Sequence, residues 1–187
     1  MDFEPMAGPD EIRLATVADL DVLNDFDQDH NGYFADRLCR QRQGRGELIV
    51  AWLDGRPVGD VYVWREPADE AKIRRHLWGV PLLQRARVTR ALRRNGIGTD
   101  LLTAAENLLQ AYGYRHVALA VREDNVDAQR LYQRLRYRNW NRGTVSCRAR
   151  DGSAERETCL VMVKALPAVA NADGIRLATA SWLGRCG

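Results

Sequence analysis

The stretch Val88-Thr89-Arg90-Ala91-Leu92-Arg93-Arg94-Asn95-Gly96-Ile97-Gly98-Thr99 decides how this chain is read. Before it, Pro81 to Val88 reads as a strand. After it, Asp100 to Tyr112 carries a helical pattern, with Leu101, Ala105, Leu108 and Tyr112 on one face and Leu102 and Leu109 beside them. A positively charged loop with two glycines therefore joins a strand to a helix. Such a helix aims its unpaired N–H groups, and the positive end of its dipole, at the loop, which makes an anion site, most often for phosphate. Gly96 and Gly98 lack a Cβ, so the main chain there can approach an anion and adopt positive φ. Arg93 and Arg94 add charge at the rim. Two other glycine-rich loops are excluded. A P-loop needs Lys and then Ser or Thr after its last glycine, and here Thr99 and Asp100 follow Gly98. The dinucleotide fingerprint needs a glycine where Leu101 stands. A tight strand-to-helix turn with no ligand remains the alternative.

Outward from this loop, the elements fall in the order β-α-α-β-β-β-α-β-α-β-β. Ile12–Leu14 alternates as a short strand. Thr16 with Asp19 has capping-box spacing and opens a helix. The acidic segment Asp25 to Asp29 leads to a turn, and Tyr33 to Gln43 is a second helix. Glu47–Leu53 and Pro57–Trp64 are strands joined by Asp54-Gly55, a hairpin signal. Residues 65–80 are a polar, partly helical connection. Gly113 ends the long helix, and His116–Val121 is an apolar strand of the kind buried on both faces. A short helix spans about Asp127 to Leu135. Strands near Thr144–Arg148 and Thr158–Lys164 flank a polar loop with Asp151-Gly152. This is an α/β arrangement, a mixed, mostly antiparallel sheet flanked by helices. Residues 1–10 read as a flexible leader, 11–166 as one domain, and 167–187 as a tail of unknown role.

Bulk properties narrow the classes. The chain has 187 residues, 45% hydrophobic and 28% charged, the balance of a soluble globular domain. No apolar run suits a membrane span and no signal-peptide pattern opens the chain, so the expected compartment is the cytoplasm. The net charge of +3 is spread along the chain, which argues against nucleic acid as a partner. Lys72 and Lys164 are the only lysines, a bias that points to a GC-rich, bacterial genome. Cys39, Cys147, Cys159 and Cys186, with His30, His76 and His116, show no metal-ligand spacing, so no metal is expected. Cys147 and Cys159 fall on neighbouring strands and are expected as reduced thiols.

The pattern R-x-x-G-x-G (Arg93, Gly96, Gly98) between strand and helix resembles the pyrophosphate loop of the GNAT superfamily of N-acetyltransferases. Val121 through Asn125 to Ala128 is similar to the family's V-x-x-x-N-x-x-A segment. Leu131-Tyr132 with Leu135 and Tyr137 resembles its L-Y-x-x-x-G-F ending, with Arg136 where the family usually has glycine. Val88 stands where members end a splayed strand. The resemblance covers about residues 11 to 166 and implies the GNAT acyl-CoA N-acyltransferase fold with acetyl-CoA as cosubstrate. It implies that main-chain N–H groups of Arg93, Arg94, Asn95, Gly96, Ile97, Gly98 and Thr99 take the pyrophosphate. It further implies that the main chain at Val88 pairs with the pantetheine arm and steadies an oxyanion, that Asn125 touches the arm, and that Tyr132 protonates the departing thiolate. From the residues alone, Tyr132 also suits a core aromatic and Asn125 a turn residue.

Many members place a carboxylate on the strand before the loop; here that strand offers Gln84, Arg85 and Arg87 and no acid. Asp29, Asp60 and Glu66 are the acceptor-side candidates, and carboxylates between the first two helices would draw a cationic amine. The expected activity is transfer of an acetyl group to a primary amine of a small molecule (antibiotic, polyamine or amino-acid-like metabolite) by direct attack in a ternary complex. Acetylation of a protein N-terminus or lysine is the alternative within this chemistry, and a non-catalytic acyl-CoA sensor the alternative outside it. A homodimer is left open.

Overall fold

The computed structural model describes residues 8–28, 32–148 and 156–168. Most of the leader and nearly all of the tail lie outside these residues, as do Asp29, His30, Cys186 and the loop with Asp151-Gly152. The elements are β1 (Glu11–Leu14), α1 (Leu20–Phe26) after a short 3-10 turn, α2 (Tyr33–Arg42), β2 (Gly46–Leu53), β3 (Arg56–Trp64), α3 (Ala71–His76), β4 (Leu82–Val88), α4 (Ile97–Ala111), β5 (His116–Arg122), α5 (Val126–Arg134), β6 (Arg138–Arg148) and β7 (Arg156–Ala165). The seven strands form one sheet in the order β1-β2-β3-β4-β5-β7-β6. Only β4 and β5 run parallel; every other pair is antiparallel.

Alternation along the central strands divides the core in two. Ile49, Val61, Val63, Leu83, Val117, Leu119 and Met162 pack on one face with Ile97, Leu101, Ala105 and Leu109 of α4 and Tyr132 of α5. Leu48, Val50, Tyr62, Trp64, Leu82, Ala118 and Val161 pack on the other with Leu23, Phe34, Leu38 and Ile73 of the first three helices. Successive side chains of a strand point to opposite faces, so strands covered by helices on both sides are apolar throughout. No helix among the described residues is long and apolar enough to cross a membrane.

The hairpin at Asp54-Gly55 forms with both residues at positive φ, the turn whose twist matches its strands. Two boundaries and one buried stripe differ from the sequence pattern. α4 begins at Ile97 rather than Asp100, because Gly96 at φ +84° serves as its N-cap and the first-turn N–H groups need no partner inside the helix. Its buried stripe is Ile97, Leu101, Leu102, Ala105, Glu106 and Leu109, while Tyr112 is exposed under the Arg65 guanidinium. β6 starts at Arg138, six residues before the sequence signal, since a register break between Asn139 and Thr144, with Asn141 and Gly143 at positive φ, hides its alternation. Cys147 and Cys159 lie on adjacent strands two residues out of register and form no disulfide; Cys159, with burial, pushes the Cys147 thiol up.

The entry to α1 is fixed by Asp19. Its carboxylate accepts two hydrogen bonds from the Arg13 guanidinium, both at 2.8 Å, and one from the Thr16 N–H at 2.7 Å. The Arg13 hydrogen bonds foremost, with those from Thr16, lower its pKa from the ordinary 3.8 to about 2. A carboxylate depressed on folding stabilises above its unfolded pKa, and that stabilisation fades as pH falls toward the folded value. Asp19→Asn should therefore lower stability at pH 7 by roughly 1 kcal/mol or less, given solvent screening. Urea unfolding should show the gap to the parent protein closing between pH 3.8 and about 2.

Candidate functional site

β4 and β5 pair at only two positions, Leu82 with Ala118 and Leu83 with Leu119. On its other edge, β4 places Gln84 opposite Tyr62 and Arg87 opposite Asp60, so Arg85 and Ala86 together face the single residue Val61. Arg85 takes φ +54° at this bulge. The extra residue bends β4 away from β5, and the sheet splits along its middle. Ala120, within β5, is exposed as a result, where the sequence pattern placed it in a strand buried on both faces. The split opens toward Val88, the last residue of β4.

The loop stands at the mouth of the split. A Cβ built on Gly98 would lie 3.7 Å from both Val88 Cγ2 and Leu131 Cδ2, so the head of α4 touches the end of β4 and the middle of α5. Separate sequence motifs therefore converge on one place. The Thr99 and Asp100 N–H groups both donate to the Gly96 carbonyl, at 2.7 and 3.1 Å, and the Arg93 N–H donates to the Arg90 carbonyl at 3.4 Å. The main-chain N–H groups from Arg94 to Gly98 have no main-chain acceptor among the described residues. The run of N–H groups without main-chain acceptors is thus narrower than the expected Arg93 to Thr99. Arg94 at φ +70° and Gly96 at φ +84° turn the chain here. Gly98 has no positive φ; what it gives is room. The Ile97 side chain is a core anchor, 2% exposed. The Arg93 side chain folds back and donates from Nε to the Val88 carbonyl at 3.2 Å, closing the corner instead of standing at the rim.

Across the split, Asn125 is the N-cap of α5, its side-chain oxygen accepting from the Ala128 N–H at 3.2 Å. Tyr132 lies one residue beyond Leu131, 6% exposed and edge-on to Tyr137 with ring centroids 5.8 Å apart. Beneath them is a buried polar group that sequence reasoning did not single out. The Tyr137 hydroxyl donates to Glu106 Oε1 at 2.9 Å, and Lys164 Nζ bonds Glu106 Oε2 at 2.5 Å. Burial first, and the Glu106 carboxylate second, push the Tyr137 phenol well above its usual range. Glu106 falls on the apolar stripe of α4, an out-of-pattern acid that was the available signal.

The opposite face of the split lies under α1 and α2. Asp27, 6% exposed, bridges Arg85 and, at 3.0 Å, Arg87 Nη1. Asp60, fully buried, accepts from Arg87 Nε at 3.0 Å. Arg85 lies over the Tyr33 ring at 4.0 Å and Arg87 over the Phe26 ring at 4.2 Å. Burial, followed by the charge of Asp60, raises the Tyr33 phenol well above its usual value. Asp60 is thus held in an ion pair behind Arg87. Glu66 does not join this group. It follows Trp64, which pairs with Leu82 at the end of β4 remote from Val88, and is engaged there by Arg40 and Arg45. Asp29 lies outside the described residues. Arg85 and Arg87 had been read only as a missing acid, because the partner that gives them meaning, Asp27, is 58 residues from Arg85 in sequence. Among the described residues no group of His, Cys, Asp or Glu is arranged to hold a metal.

Comparison with known proteins bears on this geometry. The family model for the acetyltransferase (GNAT) family matches residues 14–137. No curated protein matches the chain. Among solved structures, a GNAT-family acetyltransferase from Streptococcus pneumoniae superposes with a TM-score of 0.63 at 20% identity, over 84% of this chain and 99% of that one. The ribosomal-protein-alanine N-acetyltransferase from Brucella melitensis superposes with 0.62 at 20% identity, over 83% and 99%. Nourseothricin acetyltransferase superposes with 0.53 at 23% identity, over 67% and 68%.

The two glycines should respond oppositely to Ala. At Gly96 the left-handed φ makes Ala cost roughly 1 kcal/mol or more. At Gly98 a Cβ meets only ordinary contacts at 3.7 Å, and the helical position gains roughly 0.5 kcal/mol. Denaturant unfolding of Gly96→Ala and Gly98→Ala should give shifts of opposite sign.

Proposed function

From the premise that the chain belongs to the acetyltransferase (GNAT) family, we propose that it is an acetyl-CoA-dependent N-acetyltransferase acting on the amine of a small molecule by direct transfer. The observation that carries this reading is the run of main-chain N–H groups, Arg94 to Gly98, without main-chain acceptors at the mouth of a split sheet. These donors, with the dipole of α4 behind them, suit a diphosphate, and Gly98 lets it come close to the backbone. The cosubstrate supplies an activated acetyl thioester. β4 from Gln84 to Val88, parted from β5, offers a strand edge that orients an extended arm by main-chain hydrogen bonds. Asn125, at the head of α5, lines the other lip. Tyr132 donates a proton to the departing thiolate. A phenol has a pKa of about 10, so it holds its proton until a basic sulfur forms beside it.

The Asp27 bridge to Arg85 and Arg87 ties α1 to β4 across the acceptor side, and this tie supports a small amine over a polypeptide. The solved neighbours include acetyltransferases named for a ribosomal protein and for an antibiotic, and likeness at 20–23% identity carries the fold alone. The cytoplasm, which holds the cosubstrate and keeps thiols such as Cys147 and Cys159 reduced, suits this reading.

The test is release of free coenzyme thiol across a panel of amines. Turnover is expected; tight acetyl-CoA binding with no turnover on any amine would make the protein a sensor. Tyr132→Phe should lower kcat by roughly 100-fold while calorimetry finds acetyl-CoA affinity within about twofold of the parent. Equal, small effects on both would return Tyr132 to the core.

A further inference from the structure

We propose that the acceptor carries a carboxylate beside its amine, as an amino acid does, and that Arg87 selects it; this rests on the transferase reading above. Carboxylates between α1 and α2 suggest attraction of a cationic amine, but the structure has already paired the buried acids there. Asp27 and Asp60, the buried acids of this face, are already engaged by guanidinium groups. Around them stand three arginines, Arg37, Arg85 and Arg87, with Arg37 stacked on Tyr33, Tyr62 and Trp64. Arg37 in turn bridges Asp36 at 3.1 Å, so three carboxylates meet three guanidiniums and all three acids are already paired. A polyamine or aminoglycoside entering here would have to displace an arginine from a buried acid.

Arg87 is the most open of the three arginines, and it has capacity left. Its Nε serves Asp60 and its Nη1 serves Asp27. Its Nη2 is covered and has no hydrogen-bond partner in the described protein. A covered charged donor without an acceptor is costly, and a ligand carboxylate is the acceptor that removes the cost and fits the planar fork. A quarter of the Arg87 side chain is open to solvent, more than of Arg37 or Arg85, although Nη2 itself is covered. Position adds the second constraint. Arg87 immediately precedes Val88, where the split opens, and exposed Ala120 lies on the same face of the sheet as Arg87. An acid on Arg87 thus leaves the amine only a few bonds from the point of transfer, the span of an α- or β-amino acid. Such an acceptor is held at its acid end while the amine stays free to attack.

The experiment compares acid and amide forms of the same acceptors on the unaltered protein. Alanine, β-alanine, aspartate and glutamate are assayed against their C-terminal amides, with spermidine and kanamycin as cationic amines and Ala-Gly-Gly amide as a peptide. The best acid should exceed its amide in kcat/KM by roughly 10- to 100-fold, the worth of a charge-assisted hydrogen bond. Acids and not amides should raise the melting temperature without acetyl-CoA present. Arg87→Lys, which keeps a cation for the two buried acids, should raise KM for the acid about tenfold and shrink the acid–amide ratio, with acetyl-CoA affinity unchanged. Turnover confined to spermidine, kanamycin, the peptide or the amides, or an acid–amide ratio near one, overturns the inference and leaves the transferase reading intact. No turnover on any amine overturns both. A ratio that survives Arg87→Lys overturns the role of Arg87.

Discussion

The parting of β4 from β5 is the constraint on which the site depends. A parallel pair that holds hydrogen bonds at only two positions gives up ladder energy in the middle of the sheet, where strand pairing is otherwise complete. The bulge at Arg85 enforces this, since two residues facing one cannot continue the register. A non-glycine residue at φ +54° costs roughly 1–2 kcal/mol. That strain is tolerated because Arg85 is held on both sides, by Asp27 and by the Tyr33 ring. The same contacts that pull the strand aside thus anchor the helix covering the opening.

The two lips of the split differ in electrostatics. At the mouth, α4 offers main-chain donors and the positive end of its dipole, fixed by the backbone and independent of pH. On the α1–α2 face, charge is carried by side chains packed in pairs with little water, where a lost partner leaves its mate uncompensated. Beneath α5, Glu106 joins Tyr137 and Lys164, so three elements meet at one carboxylate under Tyr132. Positive φ values at Arg85, Arg94, Gly96 and Arg136 lie in or beside these same elements. Strain of this kind persists where the surrounding core over-determines the backbone, and both core layers press on the split sheet.

Local patterns were legible wherever one short segment carries its own signal. The Asp54-Gly55 turn, the Asp19 cap, the doubly buried strands and the loop at Gly96 all depend on neighbours within a few residues. Failures came where a distant partner decides. Tyr112 fits the stripe of α4 but lies past its last buried residue, Leu109, and is exposed under Arg65. β6 begins earlier than its alternation shows because Arg138 and Asn139 already pair with β7, ahead of the break before Thr144. Ala120 was read as buried because nothing in its own strand announces that its neighbour leaves.

The sequence by itself determined the class of fold, the order of its elements and a glycine-bearing turn at the head of a long helix, since hydrophobic period and glycine placement act over one turn or one strand. Tertiary structure alone decided which N–H groups remain without acceptors, that Asn125 spends its side chain on a cap, and that Glu66 stands at the wrong end of β3. It also decided that Asp27 and Asp60 answer Arg85 and Arg87, so that the buried acids under α1 and α2 are already paired. The reason is that a charge has no meaning for a site until its counter-charge is known, and the sheet brings Asp27, Asp60 and Arg87 together from three separate parts of the chain.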